Sequence, residues 1–426
     1  MSAASTVGAS GPESTDTRTT TTGAAQGAGA SPDDVVVVGA ARTPFVRFNG
    51  QLATLSAVEL GATAIRAAMG QAGVCGEAVD VVLMGQVLQA GAGQNPARQA
   101  GLAAGVHPGA HATTINKVCL SSLAAIIDGA RLIRLGEAEV VVAGGQESMS
   151  QAPHLLGGSR KGWAYGDRTA VDHLAHDGLT DAASGNAMGL DTDRYSAADH
   201  PGLTREQQDA VAAASHERAA AAQESGRFDA EIAPVTVTGR KGDTVVDADD
   251  GLRAGTTPES LARLRPAFTP EGSITAGNAS QISDGAAALV LARRSTAEAN
   301  GWAALATVRA SGQVAGPDSS LHDQPGNAIA AALERQGWGV DDLAHVEINE
   351  AFAAVAVASA GVLGLAPDDE RINPHGGAIS LGHPIGASGA RLAAHAVHEL
   401  VRAGTGRAAV ALCGGGGQGD ALLLER

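Results

Sequence analysis

Gly136-Glu137-Ala138-Glu139-Val140-Val141-Val142-Ala143-Gly144-Gly145 and Gly406-Arg407-Ala408-Ala409-Val410-Ala411-Leu412-Cys413-Gly414-Gly415 are two versions of one phrase. Each follows a helical run that ends in a Leu/Arg-rich turn, and each carries an aliphatic run into a glycine pair. Such a run, bounded by glycines, reads as a buried strand. A second pair of segments repeats the relation: Asp284-Gly285-Ala286-Ala287-Ala288-Leu289-Val290-Leu291 resembles Asp420-Ala421-Leu422-Leu423-Leu424. In the later copy the two pieces are nearly adjacent. In the earlier copy residues 146–283 separate them. The chain is therefore expected to be a duplicated unit whose first copy carries a long insertion before its last strand.

The surrounding sequence gives that unit its class. Val35-Val36-Val37-Val38 is a continuous β-branched run of the kind found in buried parallel strands. Helical periodicity follows over Ala57–Gln71, then a strand over Val81–Met84. A strand-like run over Ala112–Ile115 leads into a helix whose apolar stripe is Leu123, Ile126, Ile127 and Ala130. Alternation of this kind predicts α/β layers. The expected divisions are a disordered tail (1–33), a first half (34–145 plus 284–303), an inserted loop domain (146–283) and a second half (304–426).

Composition narrows the function classes. Of 426 residues, 44% are hydrophobic but only 2% are aromatic, and 57 are glycine, so the core must be close-packed Ala, Val, Leu and Ile. A formal net charge of -16 argues against general nucleic-acid binding. The three cysteines form no Cys-x-x-Cys pair and no disulfide framework, which fits a reducing cytoplasm. Cysteine and histidine do not fall at metal-ligand spacings, so no metal is expected. The Ser/Thr/Ala/Gly-rich tail lacks the apolar run of a secretory signal and carries only Arg18, unlike a transit peptide. Ala353–Ala366 is apolar but too short for a membrane span and is read as a buried helix.

Three positions carry chemistry. His383 lies in Asn373–Arg391, among seven glycines or prolines that constrain the backbone. Cys119 lies where a strand meets a helix. Cys413 ends a strand and enters Gly414-Gly415-Gly416-Gly417. One histidine and two cysteines at such turns suggest acyl transfer through a thioester. A helix start and a nearby imidazole are expected to lower the Cys119 pKa to roughly 3.5–7.5. If the halves pack about a pseudo-twofold axis, the helix after Cys119 and the helix after His383 occupy equivalent places and their starts converge.

Asn116-Lys117-Val118-Cys119, Asn349-Glu350-Ala351-Phe352, Gly376–Arg391 and Cys413-Gly414-Gly415-Gly416-Gly417-Gln418-Gly419 occur in the order of the corresponding thiolase motifs. From about Val35 to its end the chain resembles that family. The resemblance implies the thiolase fold: an α/β architecture of two similar halves plus a loop domain that covers coenzyme A. It implies Cys119 as nucleophile and His383 as its base, with His383 also donating to the thioester oxygen of the second substrate. Asn349 would hold a water beside that oxygen, Cys413 would serve as acid/base for the carbon acid, and the Cys119 and Gly415 N–H groups would form an oxyanion hole. Met188, Arg253, Ser260 and Ser280 match positions at the acyl or coenzyme A site. Acetyl-CoA, 3-ketoacyl-CoA and coenzyme A are the implied substrates. No separate cofactor, nucleic acid or membrane partner is expected, and the assembly is expected to be a homodimer or homotetramer.

Three departures bear on acyl specificity. Cys119-Leu120-Ser121-Ser122 replaces Cys-Gly-Ser-Gly. Ala187 stands before Met188 where biosynthetic members often carry histidine. Leu321-His322-Asp323-Gln324-Pro325 replaces Met-Gly-Thr-Gly-Pro. The implied activity is an acetyl-CoA C-acetyltransferase. The alternatives are a degradative 3-ketoacyl-CoA thiolase, a ketoacyl-synthase-like condensing enzyme, which Cys413 argues against, and a non-catalytic acyl-CoA binding protein.

Overall fold

Val35-Val36-Val37-Val38 opens strand β1 (Val35–Arg42), buried along its whole length. The computed structural model describes residues 31–240 and 242–426. The first half continues with α1 (Ala57–Ala72), β2 (Val81–Gly85), α2 (Pro96–Ala104), β3 (His111–Ile115), α3 (Ser121–Leu135) and β4 (Val140–Ser148). The insertion holds α4 (Met188–Asp199) and α5 (Arg205–Glu224). β5 (Ser283–Arg293) closes the half, and α6 (Arg294–Asn300) leads out of it. The second half comprises β6 (Ala306–Ala315), α7 (Gln324–Gln336), β7 (His345–Ile348), α8 (Ala353–Val362), α9 (Ser388–Ala403), β8 (Arg407–Gly414) and β9 (Gln418–Glu425).

The strands form one sheet in the order β7-β8-β9-β6-β1-β5-β4-β2-β3. Outward from the centre, β1-β5-β4-β2 and β6-β9-β8-β7 repeat the same directions: two antiparallel pairings, then a parallel one. β1 and β6 themselves pair antiparallel, Val36 opposite Thr307. This is the duplication read from the sequence. β8 and β9 are joined by the short turn Gly415–Gly417, whereas β4 and β5 are separated by the insertion. β4 runs three residues past the expected boundary, because Gln146, Glu147 and Ser148 are buried and pair with Ala286, Gly285 and Asp284.

Helices α3 and α9 lie between the strands of the two halves. Leu123, Ile126 and Ile127 from α3 and Leu392, Val397 and Leu400 from α9 share one buried cluster with Leu289, Leu291, Val410 and Leu424. α1 and α2 cover the other face of the first half, through Leu60 and Ile65 against Val142 and Val290. α7 covers that of the second half, through Ile329 and Leu333 against Leu423. α5 begins in a capping box, Thr204 with Gln207, worth about 1 kcal/mol. Arg42, fully buried, bonds Glu231 at 2.7 Å and Asp249 at 2.7 Å, tying β1 to the insertion.

Two further sequence boundaries shift. Of the expected tail, residues 1–30 lie outside the described residues. Pro32 O accepts from Ser295 N at 3.0 Å and Asp33 pairs with Arg293 at 3.0 Å, so the fold begins slightly earlier than Asp34. α8 stops at Val362 rather than Ala366, with Gly364 in a left-handed turn at φ 71°. No described helix is long and apolar enough to cross a membrane.

Candidate active site

Between β3 and α3 the chain makes a tight turn. Val118 adopts φ 52°, a left-handed conformation that a β-branched residue holds only under constraint, at a cost of about 1–3 kcal/mol. Local bonds supply the constraint. Val118 N donates to Asn116 Oδ1 (3.0 Å), Lys117 N donates to Ser121 Oγ (2.8 Å), and Ser121 Oγ donates to the Val118 carbonyl (2.6 Å). Cys119, the next residue, is buried among Val87, Leu88, Met149, Leu174 and Ile385.

That environment reverses one expectation. The Cys119 thiol is pushed up to about 12, because burial outweighs the lowering by its own backbone N–H, and Glu147 pushes it further. The helix starts only at Ser121, so Cys119 lies before its first turn rather than in it. At rest Cys119 is a neutral thiol, and it would have to lose its proton to act as a nucleophile.

His383 follows a single helical turn, Ala378–Leu381, and Gly382 at φ 110°. Its backbone N–H donates to Gln281 O (2.9 Å). Its Nδ1 lies 2.6 Å from Ser388 Oγ, whose own proton goes to the Pro384 carbonyl at 3.0 Å. Ser388 must therefore accept from Nδ1–H, which leaves Nε2 unprotonated. Burial lowers the His383 pKa to about 4, so the ring is neutral. Asn349 Nδ2 stands 3.5 Å from Nε2, and Asn349 Oδ1 is buried with no partner among the described residues.

The loop reaches the first half by close backbone approach. Gly386 N donates to Glu147 Oε2 (2.9 Å), and a Cβ on Gly145 would stand 2.0 Å from Gly386 O. Ala390 N donates to Ser122 Oγ (3.0 Å), so the starts of α9 and α3 do converge, as the repeat implied. Glu147 is buried, accepts also from Val87 N and Leu88 N, and burial pushes its pKa up to about 7.

Cys413 is the penultimate residue of β8 and is buried beside Leu321, Ala351 and Val355. Burial raises its pKa above the usual thiol range, and charge on Cys119 raises it further. The turn after it packs on the Cys119 turn: a Cβ on Gly414 would stand 2.6 Å from Leu120, and one on Gly415 would lie 3.4 Å from Val118 and 3.6 Å from Met188.

Next to these groups is an apolar cavity of about 330 Å³ with His383 in its wall. Ala187, Met188, Phe268, Ser280, Ile282 and Phe352 also line it. Cys119, His383, Asn349, Cys413, Met188, Gly415 and Ser280 therefore gather in one region. Arg253 and Ser260 do not line the cavity; both are exposed, and Ser260 Oγ donates to the Thr257 carbonyl at 2.7 Å. Sequence reading missed Glu147, Ser388 and Gln281. Only Ser388, five residues beyond His383 at a helix start, left a visible signal. It also did not foresee two groups that share His395, one with His345 and Glu347 and one with His375 and Glu399, each with ligand-type atoms within 4.8 Å of one another. The carboxylates there are already engaged, Glu347 by Arg391 (3.0 Å) and Glu399 by Arg227 (2.6 Å).

The chain matches the family model for the thiolase N-terminal domain over residues 35–295 and that for the C-terminal domain over residues 302–426. A probable acetyl-CoA acetyltransferase of Mycolicibacterium smegmatis is 55% identical over 92% of this chain and 100% of its own length. Acetyl-CoA acetyltransferases of Pseudomonas aeruginosa and Cupriavidus necator are 49% and 46% identical, each over 92% of this chain and 99% of their own. With both halves matched, and with Cys119, Cys413 and Asn349 gathered around a cavity that His383 lines, this chain belongs to the thiolase family.

Proposed function

We propose that the protein is an acetyl-CoA C-acetyltransferase that works by a two-stage exchange. In the first stage Cys119 Sγ attacks the thioester carbon of acetyl-CoA while His383 Nε2 takes the thiol proton. Coenzyme A leaves with that proton, and Cys119 keeps the acetyl group. In the second stage Cys413, having passed its own thiol proton to His383, removes a proton from the methyl group of another acetyl-CoA. The new carbanion attacks the acetyl carbon, the Cys119–acetyl bond breaks, the Cys119 sulfur recovers the proton from His383, and acetoacetyl-CoA forms. Thiolysis runs the same steps backwards. Coenzyme A enters as substrate, and every proton moves through the protein's own groups.

The observation that carries this reading is the hydrogen-bond order around His383. Ser388 fixes the Nδ1–H tautomer, so the nitrogen turned toward Asn349 is the basic one. A positioned base of this kind contributes roughly 10²–10⁴-fold. The Cys119 and Gly415 N–H groups, on turns packed against each other, suit the developing oxyanion. Arg253, exposed outside the cavity, suits the anionic end of coenzyme A.

A second reading, thiolysis of longer 3-ketoacyl-CoA, is favoured by Ala187, whose small side chain leaves the apolar cavity wall open. A homodimer or homotetramer in the cytoplasm fits the free cysteines and the exposed Leu156, Trp163 and Tyr165. Incubation with acetyl-CoA should add one acetyl group, lost in Cys119→Ala, and thiolysis rates should be followed across 3-ketoacyl chain lengths. Acetylation confined to Cys413 would refute the assignment.

A further inference from the structure

Asp420 lies on β9 with its carboxylate shut off from solvent, and both oxygens accept from Lys117 Nζ, at 2.7 and 2.8 Å. Gln313 Nε2, on β6, adds a bond to Oδ1 at 3.3 Å. Lys117 is the first residue of the strained turn. Its carbonyl accepts from Leu120 N at 3.2 Å, Val118 follows at φ 52°, and Cys119 comes next. The local bonds close this turn upon itself. The Lys117 ammonium instead ties it to the last strand of the other half, the half that carries His383 and Cys413.

The two partners are not equivalent. The Lys117 side chain is 26% exposed and can swing into water, whereas Asp420 is fully enclosed and cannot. A carboxylate buried without a partner is strongly disfavoured, so Asp420 holds the ammonium and, through it, the turn. We infer that Lys117 and Asp420 form a positioning pair across the two halves that keeps the Cys119 turn in register with His383 and Cys413. This inference rests on Cys119 being the residue that is acylated.

The test is single-turnover acetylation of the full-length enzyme by acetyl-CoA, with folding followed by circular dichroism. Lys117→Met and Asp420→Asn should each slow acetylation of Cys119 by roughly 10²-fold, the loss expected for a misplacement of about 1 Å. The half-saturating acetyl-CoA concentration should stay unchanged. The double variant should be no slower than the slower single one, and Lys117→Arg, which keeps the ion pair, should recover most of the rate. Alkylation by iodoacetamide should slow at Cys119 and not at Cys413. Wild-type acetylation in both single variants would overturn the inference, as would a loss that Lys117→Arg fails to recover. If Lys117→Met does not fold, the isosteric Asp420→Asn decides. If neither folds, the pair serves folding alone and the positioning role is refuted. Failure of the underlying reading looks different: Cys119→Ala would still take up an acetyl group.

Discussion

Replacing Gly145 by alanine should separate the two halves of the active site without touching a reacting group. The added Cβ would stand 2.0 Å from Gly386 O and 2.7 Å from Ser122 Cβ. The shortest ordinary carbon–oxygen contacts are about 3.3 Å, so roughly 1.3 Å must be found. β4 cannot supply it, because Gly145 is paired with Ala287 on one side and Gly85 on the other. The His383 loop must retreat instead, and Gly386 is three residues from His383. A misplacement of about 1 Å costs roughly 10²-fold, or about 2.7 kcal/mol of barrier. Overpacking should also lower stability by about 1–3 kcal/mol. The assay is thiolysis of acetoacetyl-CoA, with urea unfolding measured alongside. The expected outcome is a fall in kcat with KM nearly unchanged. A kcat equal to wild type, even with the stability loss present, would refute the claim that this contact sets the position of His383.

Acid should destabilise the fold in a defined window. His383 and His322 are held by burial near 4 and 3, against 6.5 in an unfolded chain, so the unfolded chain binds more protons between those values. The stability these two histidines contribute should be complete above about pH 6.5 and lost as pH falls toward 4, against an opposing drift from Glu147, whose pKa burial raises to about 7; a fall in urea midpoint between neutral pH and pH 5 that is no smaller in His322→Asn would contradict this. Cys413→Ser should impair condensation more than acetyl exchange between thiols, and equal loss of both would refute the division of labour. Ala187→His should narrow the accepted 3-ketoacyl chains toward four carbons, because each buried methylene of a longer substrate gains up to about 0.8 kcal/mol only while the wall is open. A wild type that already rejects longer chains would show that other residues close the cavity.

The duplicated architecture was legible because strands buried on both faces leave uninterrupted aliphatic runs, and β4, β5, β8 and β9 each left one. Helix ends were legible where the chain itself punctuates them, as in α1, expected over Ala57–Gln71 and found over Ala57–Ala72. The site was legible only as separate residues. Cys119, His383 and Cys413 stand at turns that local sequence marks, but their meeting depends on contacts such as Ala390 with Ser122, 268 residues apart. The protonation states were not legible at all. The turn suggested a lowered thiol pKa, but burial among Val87, Leu88 and Ile385 prevails, and no local pattern reports which distant side chains enclose a residue. The Arg42, Glu231 and Asp249 network was hidden for the same reason, since its members come from three remote segments.

The insertion leaves and re-enters the sheet at neighbouring points. Ser148 at the end of β4 is directly opposite Asp284 at the start of β5, and Ser150 N still donates to Asp284 Oδ1 at 2.9 Å. A segment whose two roots are clasped together can change length and content without altering the register of the strands that bear it. The matching turn in the other half, Gly415–Gly417, has no such freedom, because a Cβ on Gly417 would lie 1.8 Å from Asp318 O. The two copies thus differ in their tolerance of change. One connection can lengthen without disturbing its strands, and the other is fixed by the backbone packed against it.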